Sequence, residues 1–149
     1  MRNWPYLLLA TSLLIIDQIL KILSIKNTFP EMGGFLVSFC NPNLAWNIPV
    51  NEIFFWIAWI IIVFLIIYNL KKSFNIFLLI VLFGAISNII DRILGGCVID
   101  YINIPYFPAF NLADVMITGG IILFLIQNNI QLLIETKSPK YSDFFIQNF

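Results

Sequence analysis

Residues 74–94 read FNIFLLIVLFGAISNIIDRIL. The run is long enough to cross a bilayer core, which takes about 20 residues. Apart from Asn75 at its start, its polar letters gather at the far end, at Ser87, Asn88, Asp91 and Arg92. A carboxylate at the centre of a membrane helix costs on the order of 3 kcal/mol on insertion scales. Two more aspartates follow at once, in Val98-Ile99-Asp100-Tyr101 and Phe110-Asn111-Leu112-Ala113-Asp114, although the chain has only 8 acidic residues. Groups that expensive mark a functional site by default. The stretch therefore predicts a membrane helix with a polar cluster at one end, and acid/base chemistry from carboxylates brought together there.

The rest of the chain repeats the apolar half of this pattern. Its 149 residues are 60% hydrophobic and 11% charged, and the mean hydropathy is +0.93. A soluble domain of this size is about 45–50% apolar and about 25% charged. The chain is thus read as an all-α integral membrane protein, one domain over 1–149, with spans at about 6–24, 53–69, 74–94 and 115–134. Gly84, Gly119 and Gly120 fall inside spans, where small residues let helices approach closely. Arg2, Lys71, Lys72, Lys137 and Lys140 fall at the ends that an even span count puts on one side. The positive-inside rule places that side, and both termini, in the cytoplasm. Segments 27–52 and 95–114 then become outer loops. Span one starts like a cleavable leader, with Arg2 and an Ala10-Thr11-Ser12 site. It continues past that site to Asp17 and Lys21, and is read as a retained span.

Net charge is zero with no basic tract, which argues against nucleic acid as a partner. The absence of His removes the commonest metal ligand and general base. Cys40 and Cys97 form no CxxC pair, so no metal site is expected. The topology places both cysteines on the outer side, which leaves a disulfide between them open. In the first outer loop, Gly33-Gly34 and Asn41-Pro42-Asn43 are turn signals. Between them, Phe35-Leu36-Val37-Ser38-Phe39 has strand composition, and 46–48 is a candidate returning strand. A small extracytoplasmic β-sheet is expected there, with Trp46 at headgroup depth.

The polar residues sort by spacing. Asp17 and Lys21, at i and i+4, share a helix face and are read as an ion pair. Asn88, Asp91 and Arg92 form a polar face on span three. Adjacent helical residues do not face each other, so Asp91 is expected to pair with another helix, through Lys21. Asp100 and Asp114 have no local cation. Pro105 and Pro108 between them break any helix, and closing such a loop costs only about 2 kcal/mol beyond a constant. The plainer readings are an exposed loop acid for Asp100 and a helix N-cap for Asp114. Residue pattern alone leaves both readings open.

These blocks together resemble the bacterial lipoprotein signal peptidases, or signal peptidase II. Asp17-Gln18-Ile19-Leu20-Lys21 is similar to the family's D-Q-x-x-K block. Asn41-Pro42-Asn43-Leu44-Ala45-Trp46 is similar to N-x-G-x-A-F, and Gly84 through Arg92 to G-G-A-x-G-N-x-x-D-R. Val98 through Tyr101 resembles V-x-D-[FY], and Phe110 through Asp114 resembles F-N-x-A-D. The resemblance spans nearly the whole chain. It implies an intramembrane aspartic endopeptidase of the bacterial inner membrane with Asp100 and Asp114 as its catalytic pair. It implies no cofactor, and it makes Asn41, Asn88, Arg92, Asn111 and Ala113 residues that line or shape the site. Asp17, Lys21 and Asp91 are supporting residues. The implied substrate is a prolipoprotein already carrying a diacylglyceryl group on the cysteine after the cut. Membrane lipid is the other expected partner, and the chain is read as a monomer. Asn43, Leu44, Trp46 and Ser87 depart from the family pattern, and they bear on substrate preference and helix packing. The rival reading is a small transporter or channel subunit with a carboxylate proton relay. It predicts acids spread through the membrane depth, whereas here they gather at one end of the spans.

Overall fold

The computed structural model describes residues 3–26, 35–43, 49 and 51–137. Along the chain lie α1 (Trp4–Ile25), β1 (Leu36–Asn41), α2 (Glu52–Lys72), α3 (Ile76–Gly95), β2 (Val98–Ile102) and α4 (Leu112–Lys137). All four helices are long and apolar enough to cross a membrane. The expected spans are present, each displaced at its ends by local chemistry. The Asn51 side chain accepts from the Ile53 amide at 2.9 Å and starts α2. The Asn75 side chain accepts from Phe77 and Leu78 and starts α3. Gly96, at φ 73°, ends α3 with its amide bonded to the Arg92 carbonyl, a left-handed conformation that favours glycine. Glu52 in the first turn of α2 and Lys71 and Lys72 in its last complement the helix dipole.

Helix α3 is the centre of the bundle. It buries Leu78, Leu79, Val81, Gly84, Ser87, Ile89 and Asp91, whereas α2 buries only Ile66. A helix that is apolar all round yet barely buried has lipid as its natural solvent. The closest packing is between α3 and α4. A methyl group on Gly84 would lie 2.8 Å from the Ala113 carbonyl oxygen, and one on Gly120 would lie 2.6 Å from Val81. Gly119, by contrast, faces open space.

The sheet is built differently from the expectation. β1 pairs antiparallel with β2, with Phe39 opposite Asp100, Cys40 opposite Ile99 and Asn41 opposite Val98. The partner strand therefore comes from the segment after α3. The left-handed turn at Gly96 sends that segment straight back along β1. The candidate strand at 46–48, the Gly33-Gly34 turn, Leu44, Ala45, Trp46, Arg2 and Lys140 lie outside the described residues. The cysteine pairing that the sequence leaves open is decided by the fold. Cys40 and Cys97 form a disulfide with Cα atoms 5.5 Å apart, because the strand pairing brings together residues separated by 57 positions. Ser24 on α1 donates to the Val37 carbonyl at 3.3 Å and ties β1 to the bundle.

Candidate active site

Two polar clusters sit side by side where the end of α1, the end of α3, β2 and the start of α4 meet. The first is closed. Lys21 lies 2.8 Å from Asp17 and 2.8 Å from Asp91. Asp17 is 0% exposed and Lys21 is 2% exposed, so this cation neutralises acids on two helices inside the bundle. Charges so buried persist only when their other valences are filled. The second Asp17 oxygen accepts from the Tyr101 hydroxyl at 3.0 Å and the Ala113 amide at 3.2 Å. Ser87 adds a hydroxyl donor to Asp17 at 2.7 Å. Gln18 donates to Asp91 at 3.0 Å, and the Ile99 amide donates to its other oxygen at 3.3 Å.

The second cluster holds Asp100 and Asp114, and its donors are amides. Asn41 donates to Asp100 at 3.2 Å, and Asn111 donates to its other oxygen at 2.8 Å. Asn88 donates to Asp114 at 2.8 Å, and the Asn111 backbone amide donates to its other oxygen at 3.1 Å. Asn111 thus bridges both carboxylates. Its side chain also accepts from the Asp114 amide at 2.9 Å. This reciprocal pattern is a capping box with Asn111 as N-cap and Asp114 at the third position. It corrects two expectations: α4 begins at Leu112 rather than near 115, and Asp114 is not the cap. The Asp114 carboxylate is left to face Asn88.

Asp100 lies on β2, where it is buried at 3% exposure, so the exposed-loop reading is overturned. Burial first, and then the charge of Asp114, push its carboxyl up to about 6, against the pull of Asn41, Asn111 and Lys21. Burial first, and then the charge of Asp17, hold the neighbouring Tyr101 hydroxyl well above its usual range. Tyr101 therefore stays a neutral donor to Asp17 while accepting from the Leu112 amide at 3.0 Å. Both aspartates border a groove of about 830 Å³ that continues past Thr118 and Gly119 to Ile122 on α4. Its other walls carry Phe39, Asn41, Asn43, Asn88, Arg92 and Phe107.

A profile of the family described as "Signal peptidase (SPase) II" matches residues 9–130. The chain belongs to the signal peptidase II family. Proteins named "Lipoprotein signal peptidase" from Listeria monocytogenes serotype 4a and Listeria innocua serovar 6a are each 34% identical, covering 81% of this chain and 90% of theirs. A solved bacterial membrane enzyme, determined in meso at 2.3 Å resolution, superposes with a TM-score of 0.73 at 33% identity, covering 92% of each chain. A second, at 1.9 Å resolution, gives 0.69 at 33% identity over 83% of this chain and 91% of that one. The protein is thus a multi-pass membrane peptidase of this family.

Within this signal peptidase II fold, the residues singled out by sequence divide between the clusters. Asn41, Asn88, Arg92, Asp100 and Asp114 border the groove. Asn111 and Ala113, both 0% exposed, lie behind it, Asn111 as the bridge and Ala113 through its backbone. Asp17, Lys21 and Asp91 form the closed cluster. Arg92 turns away from Asp91: it donates to the Asn43 carbonyl at 2.8 Å and stacks 4.6 Å from the Phe55 ring centroid. Gln18, Ser87 and the Tyr101 hydroxyl complete the closed cluster. Gln18 and Tyr101 belong to the family blocks, but no spacing rule indicates where their polar atoms point. Ser87, a departure from the family pattern expected to bear on helix packing, is a buried donor to Asp17.

Proposed function

We propose that this chain removes signal peptides from lipid-modified bacterial prolipoproteins, cutting before the diacylglyceryl-bearing cysteine, with Asp100 and Asp114 as an aspartic pair. The observation that carries this is the shared Asn111, which ties both carboxylates to one end of an open groove. Two carboxylates in such proximity resist ionising together and share a proton. The ionised member takes a proton from water as it attacks the scissile carbonyl. The protonated member polarises that carbonyl and then helps protonate the leaving amine. The pair titrates as one unit with two macroscopic values. The asparagine donors support this cycle, since they orient the carboxylates, and at Asp100 burial outweighs their pull toward the ionised form.

The proposed setting has both termini in the cytoplasm and the site near the outer face of the inner membrane. Lys71 and Lys72 close α2 at the end opposite the aspartates, in keeping with the positive-inside rule. A monomer suffices, because both aspartates and their partners come from one chain. The apolar groove along α4 suits the lipid-embedded part of the substrate.

The test is purified protein in lipid with a diacylglyceryl-modified prolipoprotein, read by mass spectrometry. The expected product begins at the modified cysteine. Cleavage at another bond, or equal cleavage of unmodified precursor, overturns the substrate assignment.

A further inference from the structure

The bridge between Cys40 and Cys97 has no part in the chemistry proposed above, yet it lies beside it. Cys40 precedes Asn41, the residue that donates to Asp100 at 3.2 Å. Cys97 precedes β2, which carries Asp100. The two strands are unequally held. β2 buries Val98, Asp100 and Tyr101, and Tyr101 is locked to Asp17. β1 leaves Ser38, Phe39 and Cys40 exposed, and its ladder is irregular between Leu36 and Phe39. A two-stranded ribbon is marginally stable by itself. Single hydrogen bonds grip β1 at Val37, from Ser24, and just beyond it at Pro42 and Asn43, from Arg92. Between those points the covalent tie is the bridge, next to Asn41.

We propose that the Cys40–Cys97 bridge is a positioning element of the active site: it holds Asn41 against Asp100, so that full turnover requires the oxidised bridge. Cys40 and Cys97 are thus positioning residues acting through Asn41. The inference rests on the function and the outer-face placement proposed above, since disulfides persist on that side of the membrane. Asp100 is faced by Asp114 on α4, Lys21 on α1 and Arg92 on α3, besides the amides of Asn41 and Asn111. Phe39 faces Asp100 through the backbone ladder, and of the side-chain groups around the Asp100 carboxylate Asn41 alone comes from β1, so its contact is the one expected to respond to the bridge.

The experiment is a cycle between the bridge and Asn41, run on the whole protein in lipid. A dithiol reductant supplies two electrons and two protons, opening the bridge to two thiols while itself closing to a cyclic disulfide. In the reduced wild type, kcat for prolipoprotein cleavage is expected to fall by about tenfold or more, with a smaller change in KM. The infrared carboxyl band of Asp100, assigned by its absence in Asp100→Asn, is expected to titrate at higher pH, because a donor favouring the ionised form is lost. Reoxidation restores both readouts. Cys40→Ala/Cys97→Ala should match the reduced wild type and ignore the reductant. Asn41→Ala should show both changes already and gain nothing further on reduction. The proposal is overturned if both readouts stay unchanged once thiol labelling shows the bridge open. It is equally overturned if reduction acts as strongly on Asn41→Ala as on the wild type. Should the oxidised protein cleave nothing, the functional reading fails by itself, and the infrared cycle still decides the bridge.

Discussion

Asp17 and Asp91 on one side, and Asp100 and Asp114 on the other, are the same side chain at the same end of one bundle, but they keep different company. The first two share the Lys21 ammonium at 2.8 Å each and are sealed in protein. The second two receive amide donors from Asn41, Asn88 and Asn111 and open on a groove. An ammonium meets a carboxylate with an opposite charge, whereas a neutral amide orients it through hydrogen bonds alone. The difference teaches that burial alone does not tell the two pairs apart. The charge of their nearest donors and their access to the groove do.

The sharpest way to break the comparison is to neutralise each pair in turn. Asp100→Asn and Asp114→Asn are near-isosteric, and each is expected to lower turnover by about 10²–10⁴-fold with the fold kept. The double variant should be little worse than either single change, because the two act as one unit. Near-wild-type cleavage by either well-folded variant removes the pair and revives a proton-relay transporter.

Lys21→Met attacks the other cluster. It strands two buried carboxylates, a loss of about 3–5 kcal/mol for a broken buried pair, read as folded yield or thermal midpoint in detergent. Because Lys21 serves two acids, adding Asp17→Asn should recover only part of the loss, and adding Asp91→Asn should recover more. If Asp17→Asn restores everything, Asp91 is not a true partner. Smaller again is Ser87→Ala, which deletes one donor to a buried charged group, about 1–3 kcal/mol. It should lower the thermal midpoint and leave the rate per folded molecule close to wild type.

The smallest effect concerns pH. Asp100 is raised in the fold to about 6, so its contribution to stability is complete below the unfolded carboxylate range near pH 4. That contribution is lost as pH rises through about 6. Asp100→Asn should therefore melt above the wild type at pH 7 and lose that advantage toward pH 4. An advantage that grows on acidification contradicts the arrangement described for Asp100.

How much of this was legible follows the range of each interaction. The spans come from uninterrupted apolar runs, and the Asp17–Lys21 pair from i, i+4 spacing, both local properties. The link from Asp91 to Lys21 was reachable by elimination, since Arg92 cannot face its own neighbour. Asp100 and Asp114 were indicated as candidates by their motifs and by the lack of a local cation. The strand Val98–Ile102 and its pairing with β1 were not visible. Five residues carry little pattern, and the partner lies beyond α2 and α3. The disulfide stays undecided in the sequence for the same reason, because it follows from that pairing. The Asn111-x-x-Asp114 capping box was in plain sight. It stays ambiguous because Asp is itself a good N-cap, and choosing between the two requires knowing where the helix starts.

Gly84 has one more consequence. It sits one helical turn before Asn88, and a methyl group there would meet the Ala113 carbonyl at 2.8 Å and Met116 at 3.0 Å. The distance between the asparagine that steadies Asp114 and the helix that carries Asp114 is therefore set by atoms that are missing. Part of the machine's calibration is stored as vacancy. A single inert carbon, with no charge and no hydrogen bond of its own, would push Asn88 and Asp114 out of register as a shim shifts a bearing.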